Sequence, residues 1–426
     1  MYLCEEISNQ KKLEALLTEN QKEVPKAERH SKEFSRIKLG IFLTGLSVFA
    51  QLYLFQPLLP ELTRYYNITP EHSSFSVSAA TVGMAVGLFI FAFVADRISR
   101  KKLMVSSIIT ASLLTIVSAF SPDFTILILF NFLKGICLSG VTAVALAYLA
   151  EEVNPAALGI AIGLYLSGNT IGGMSGRVFA LLISGYLGWH YAVLILGGIC
   201  LVLGIVFAKI FPDSKHFSPQ PVHFKNKITL MLIFLKDHYM QGIYFIGFSV
   251  MGIFVSIYNY LGFRLEAPPF SFPHSIIACI FLMYIFGVFG SMAAGKLSDK
   301  LSSKKIIWRM VVALIIGLLL MLTENTWITI FGMGMITFFF FASHTLASRM
   351  ISQRAVIGKS MATCLYYLFY YIGSSIVGSS TGKMLSHFGW TGFVIGLIAL
   401  GFVTLLVALW IRFHRPKNLH LYQIHK

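Results

Sequence analysis

Residues 87–102 read GLFIFAFVADRISRKK, an apolar run that drops into an acidic-basic cluster just before a second apolar run begins. The pattern returns 203 residues later, where 290–305 read GSMAAGKLSDKLSSKK and set Gly87 over Gly290, Asp96 over Asp299, Arg97 over Lys300 and Lys101-Lys102 over Lys304-Lys305. A charged hairpin repeated between apolar segments, half a chain apart, is the mark of an internally duplicated membrane protein.

Composition fixes the medium. The 426 residues are 56% hydrophobic and only 12% charged, with a mean hydropathy of +0.74; a water-soluble chain so composed would lack the polar surface to cover itself. Outward from the two hairpins, apolar segments of membrane-crossing length fall at 39–60, 74–95, 103–121, 125–150, 158–184 and 190–211, then at 237–262, 274–297, 306–322, 327–350, 359–385 and 391–412. They are numbered here as spans 1 to 12. The expected fold is an all-α membrane protein with 12 transmembrane helices in two pseudo-symmetric six-helix halves, 39–211 and 237–412. A loop at 212–236 joins the halves, its last part readable as an interfacial helix, and polar tails occupy 1–38 and 413–426. The first tail holds no apolar stretch of signal-peptide length and is expected to stay outside the bilayer, with one short helix at 11–21 at most.

Orientation follows from the basic residues. Of the 34 Lys and Arg, 29 lie in the two tails, in the connecting loop, in both hairpins and between spans 10 and 11, whereas Arg64, Arg264 and Lys383 are alone on the other side. Both termini are therefore expected in the cytoplasm, with the chain in the plasma (cytoplasmic or inner) membrane. The formal charge of +16 is then mostly topology and gives no reason to expect nucleic acid. Cys4, Cys137, Cys200, Cys279 and Cys364 are scattered through the chain and form neither a disulfide framework nor a metal set, and His216 and His223 do not have the spacing of a metal site. Gly358-Lys359-Ser360 resembles the end of a phosphate loop but has Gln353 where the first glycine belongs. No acid or histidine constellation points to an enzyme, and no cofactor is implied.

Charges inside the spans are the informative residues. Lys134 in span 4 and Arg177 in the outer half of span 5 are costly in lipid, so each either faces a wet cavity or a partner, or extends its stem to the surface. No Asp or Glu lies deep in any span. Glu61, which follows Pro60 at the end of span 1, and His344 in span 10 remain as proton-coupling candidates. Polar and aromatic residues complete an expected substrate cavity: Gln51, Tyr53 and Gln56 in span 1, Tyr165 and Asn169 in span 5, Tyr258 and Asn259 in span 7, and Tyr366, Tyr367, Tyr370 and Tyr371 in span 11. Two basic residues and no acid favour a ligand with negative charge. In span 5, Gly159 and Gly163, then Gly168, Gly172, Gly173 and Gly176, have the spacing of close helix packing.

Twelve helices in two halves with this hairpin between spans 2 and 3, and again between 8 and 9, resemble the major facilitator superfamily over nearly everything after residue 38. The superfamily's hairpin runs Gly-x-x-x-Asp-Arg-x-Gly-Arg-Lys or Arg; Asp96, Arg97, Arg100 and Lys101 fit, while Ala92 and Ser99 replace the two glycines, and the second copy keeps Gly295 and Asp299. The resemblance implies a gating role for Gly87, Asp96, Arg97, Arg100, Lys101, Gly290 and Asp299, with Asp96 clamping a neighbouring helix end or an arginine across the seam between the halves. The glycine-rich span 5 resembles that of the exporter branch, the drug:proton antiporters and arabinose-efflux permeases, without their Gly-Pro step. In span 4 the superfamily's arginine falls at Asn131, with Lys134 nearby to stand in. The resemblance also has spans 1, 4, 7 and 10 line the path, which raises Gln51, Lys134, Asn259 and His344. It implies a monomeric secondary transporter that exports a small amphipathic or anionic compound in exchange for protons by alternating access. Uptake or facilitated transport of a metabolite, and less so a non-transporting receptor or scaffold, are the alternatives.

Overall fold

The computed structural model describes residues 25–219, 224–355 and 358–414. The expected helix at 11–21, the residues of the C-terminal tail from 415 on, Cys4 and His223 lie outside them.

Helix signals in the sequence set most boundaries. Span 1 starts at Lys32, where the Ser31 hydroxyl accepts from Phe34 N at 3.0 Å, and runs as a regular helix to Leu52. It breaks there because Pro57 and Pro60 supply no backbone donor; a 3-10 turn at Gln56–Leu58 leads into a second piece, Leu59–Tyr66. Spans 2 to 6 follow as Pro70–Val94, Arg100–Ser118, Phe124–Glu152, Pro155–Leu187 and Trp189–Ile210. Thr69, Asp123 and Asn154 cap three of their starts with side-chain oxygens, two of them with proline just inside. The connecting segment carries a helix, Phe224–Lys236, as the apolar tail of the loop implied. The second half comprises His238–Glu266, then His274–Phe281 and Ile285–Lys300 joined by a 3-10 turn, then Ser303–Leu320 and Thr326–Arg354. Its last element, Lys359–Phe413, holds two spans divided at Gly389, whose φ of 64° and ψ of −170° break the helix.

Among the described residues ten helices qualify, by length and composition, as membrane-crossing. Twelve spans result because Lys359–Phe413 counts twice and because Ser303–Leu320, only 18 residues long, carries Lys304, Lys305 and Arg309. Among the described residues the chain has no strand, only one isolated bridge between Ala27 and Val153, which ties the N-terminal segment to the start of span 5.

Close crossings decide which spans touch. A Cβ at Gly172 would sit 2.6 Å from Leu46 Cα, and one at Gly176 2.7 Å from Ala50 Cα, so span 5 lies directly on the backbone of span 1. Gly168 approaches Phe42 on the same ridge. The duplicated Gly87 and Gly290 play matching parts: a Cβ at Gly87 would lie 2.8 Å from Ile136 O of span 4, and one at Gly290 2.9 Å from Phe338 C of span 10. Small residues four apart permit this approach where dispersion, not water exclusion, holds helices together.

Candidate functional site

The two halves meet along a seam, and its centre is built by the break in span 1. There Gln56 accepts from Arg177 Nε at 2.7 Å and donates to Asn259 Oδ1 at 2.8 Å, while Asn259 donates to Gly378 O at 3.1 Å. One hydrogen-bonded chain thus joins spans 5, 1, 7 and 11. Arg177 is 1% exposed. It also donates to the Gly173 carbonyl, and its guanidinium lies 4.6 Å from the ring centres of both Tyr53 and Tyr284 and 5.8 Å from that of Tyr258. Among the described residues no carboxylate lies within ion-pair distance of it, and its Nη2 finds no hydrogen-bond partner.

Away from the face that carries the termini, direct bonds close the seam. Arg64 pairs with Glu266 at 2.7 Å, Lys383 with Glu71 at 3.5 Å, and Ser78 and Thr81 of span 2 meet Ser379 and Ser375 of span 11 at 2.5 and 2.6 Å. Toward the terminal face, nothing lies within 4 Å of where side chains would begin at Gly159, Gly163 and Gly295. The packing expected of Gly159 and Gly163 is therefore absent here. Gly173 differs too: its nearest neighbours are the side chains of Arg177, Tyr284 and Phe49, so it borders the site and meets no span 1 backbone.

Rings connect Arg177 to more open ground. Tyr284 meets Phe341 at 5.4 Å, Phe341 meets Phe340 at 5.0 Å, and Phe340 and Tyr370 flank His344 at 6.3 and 4.8 Å. His344 Nδ1 is 2.9 Å from the Tyr366 hydroxyl. His344, Tyr367, Tyr370 and Asn169 are only half-buried, whereas Tyr165 is 3% exposed. Tyr258 bonds Thr337 at 2.9 Å.

The remaining cavity residues separate from this site. Gln51 accepts from Thr115 of span 3 at 2.9 Å, and Lys134 donates to Asn131 at 2.5 Å with its ammonium 4.9 Å from the Phe55 ring centre. All three are at most 1% exposed and sit inside the first half, not on the seam. The structure places them apart from Asn259, with Phe55 toward Lys134 and Gln56 toward Arg177. Lys134 does not reach the surface.

At the terminal face the hairpins are built differently from one another. Asp96 Oδ2 accepts from Lys227 Nζ of the connecting helix at 2.9 Å, and Lys227 also donates to Ala92 O at 2.8 Å. The clamp thus runs to the connecting helix instead of to the end of a span. Arg100 pairs with Glu151 at 2.9 Å and more distantly with Asp96, Lys101 pairs with Asp213 at 3.0 Å, and Arg97 is exposed. In the second copy Asp299 pairs with Arg349 of the same half at 2.6 Å. Gly87 and Gly290, expected at a gate, are crossing points within their own halves. Glu61 accepts from the Ser184 hydroxyl and from Trp189 N at 2.9 Å, so it caps span 6 at the far end. Among the described residues no group of three or more His, Cys, Asp or Glu is placed to hold a metal. Sequence reading did not single out Lys227, Tyr284, Glu266 or Arg349; for Lys227 the available signal was a lysine opening an amphipathic stretch.

The family model of the Major Facilitator Superfamily matches residues 41–376. This chain belongs to that superfamily. It is 37% identical over 379 residues to the uncharacterized MFS-type transporter YybF of Bacillus subtilis (strain 168), covering 89% of this chain and 93% of the relative. It is 34% identical over 392 residues to the inner membrane transport protein YnfM of Escherichia coli (strain K12), covering 92% and 93%. Among solved structures, a bacterial homolog to the human lysosomal transporter Spinster superposes with a TM-score of 0.71 at 15% identity, over 89% of this chain and 96% of that one, a likeness of fold alone. The superfamily member described here is a multi-pass membrane transporter.

Proposed function

We propose that this chain is a secondary active transporter that exports a small amphipathic or anionic compound in exchange for protons, its halves rocking about the seam. The supporting observation is the seam: a buried polar and aromatic centre, closed by direct cross-half bonds at one end, with no neighbour opposite Gly159, Gly163 and Gly295 toward the other. Such an arrangement has two discrete states, because the bonds at one end must break as the other end closes. The charge asymmetry supports a cytoplasmic terminal face, and the kinship with YnfM supports the inner membrane. In this reading the chain acts as a monomer, and Asp96 with Lys227 holds the terminal face in the conformation described. Glu61 and His344 are its proton carriers, since one lies at the closed end and the other beside the open aromatic wall. Proteoliposomes test this reading through substrate-dependent proton movement: countermovement supports it, and proton-independent flux of every transported compound refutes it.

A further inference from the structure

Arg177 presents a problem that the fold does not solve internally. A guanidinium has five donors in a planar fork. Here Nε is satisfied by Gln56 and Nη1 by Gly173, while Nη2 is buried without a partner and no carboxylate balances the charge among the described residues. Unmade hydrogen bonds and uncompensated charge in a membrane interior are expensive and mark functional sites. The unsatisfied Nη2 belongs to a residue whose geometry suits two oxygens of a planar anion.

The surroundings narrow the anion further. Three tyrosine rings enclose the guanidinium, and from Tyr284 the rings of Phe341, Phe340 and His344 continue without a gap to half-buried Tyr370. A ligand carrying its own aromatic ring would gain offset or edge contacts along that wall, whereas a phosphate or an aliphatic acid would leave it unused. Gln56 is the group that an incoming carboxylate would displace from Arg177, and Gln56 is also the cross-half link to Asn259.

We propose that the seam site built on Arg177 binds a small aromatic carboxylate, its carboxylate on the Nε–Nη2 edge and its ring against the wall that begins at Tyr284. Binding competes with the Arg177–Gln56 bond and so loosens the link between the halves. This inference rests on the transporter reading and names its substrate class.

The test uses the purified full chain in detergent and measures affinity by calorimetry. The probes are benzoate, 1-naphthoate and indole-3-acetate, each beside its neutral amide, with cyclohexanecarboxylate as the ring-saturated control. The expected result is that at least one aromatic acid binds tenfold or more tightly than both its amide and the saturated acid, and that Arg177→Gln abolishes the preference for acid over amide. Because that variant could lose binding by misfolding, Gln56→Ala supplies the opposite sign: removing the competing acceptor should tighten acid binding several-fold. Equal affinity for acid and amide, no binding by any of the three acids, or weaker acid binding in Gln56→Ala overturns the proposal. If a compound of another class is transported while no acid binds, the transporter reading stands and this one falls. If acids bind but nothing crosses the bilayer, the reverse holds.

Discussion

Gly172 offers a measurement in which the structure dictates both sign and size. A methyl group there would meet Leu46 Cα at 2.6 Å, whereas carbon atoms in contact settle at about 3.5–4.0 Å. Spans 1 and 5 would have to part by about 1 Å at a crossing where Gly168 and Gly176 also touch backbone. Overpacking of that order costs about 1–3 kcal/mol. Gly172→Ala also gains about 0.8–1.0 kcal/mol of helix propensity, so the variant alone is ambiguous. Gly163→Ala removes the ambiguity, since it has the same propensity gain in the same helix and nothing within 4 Å. The two variants should therefore differ in unfolding free energy by about 1–3 kcal/mol, with Gly172→Ala the less stable. Denaturant titration in mixed micelles reads the difference directly. Equal stabilities within about 0.5 kcal/mol would refute the close crossing that positions Arg177 against Gln56.

Other consequences can be checked separately. Ser78→Cys with Ser379→Cys, whose native oxygens are 2.5 Å apart, should form a disulfide on mild oxidation, stop transport by holding the far end shut, and regain it with reductant. Asp96→Asn and Lys227→Ala should slow or speed transport to the same degree, and the double variant no further; stability should change by less than about 1 kcal/mol because the pair is partly exposed. Lys134→Met should raise the thermal midpoint, since it removes a buried ammonium held by one amide oxygen and a ring face. A drop in midpoint would mean that the ammonium is better compensated than its neighbours indicate.

Architecture was legible because it depends on features of long range in the sequence: apolar length and the 203-residue repeat. The site was legible only in part. Arg177, Tyr258 and Asn259 stood out as polar groups in apolar runs, but polarity alone put Gln51 and Gln56 in one cavity. Five residues apart, they point to different sides of span 1, toward Thr115 and toward Arg177. Gly159 and Gly163 share the spacing of Gly168 and Gly172, yet only the latter pair meets a neighbouring backbone. Spacing shows which residues share a helix face and not what lies opposite. The Asp96–Lys227 bond links positions 131 residues apart through a helix outside the spans. Nothing in the local pattern around Asp96 encodes its partner.

The central claim is coupled transport across the seam, and proton movement in proteoliposomes tests it most directly. Vesicles holding the purified chain and a pH-sensitive dye are challenged with one compound at a time, and passive permeation is subtracted with protein-free vesicles. The account predicts that at least one compound evokes proton flux opposite to its own, abolished by the disulfide of the Ser78→Cys, Ser379→Cys variant. Flux of every transported compound that ignores an imposed pH gradient, or that persists through the locked seam, would contradict it.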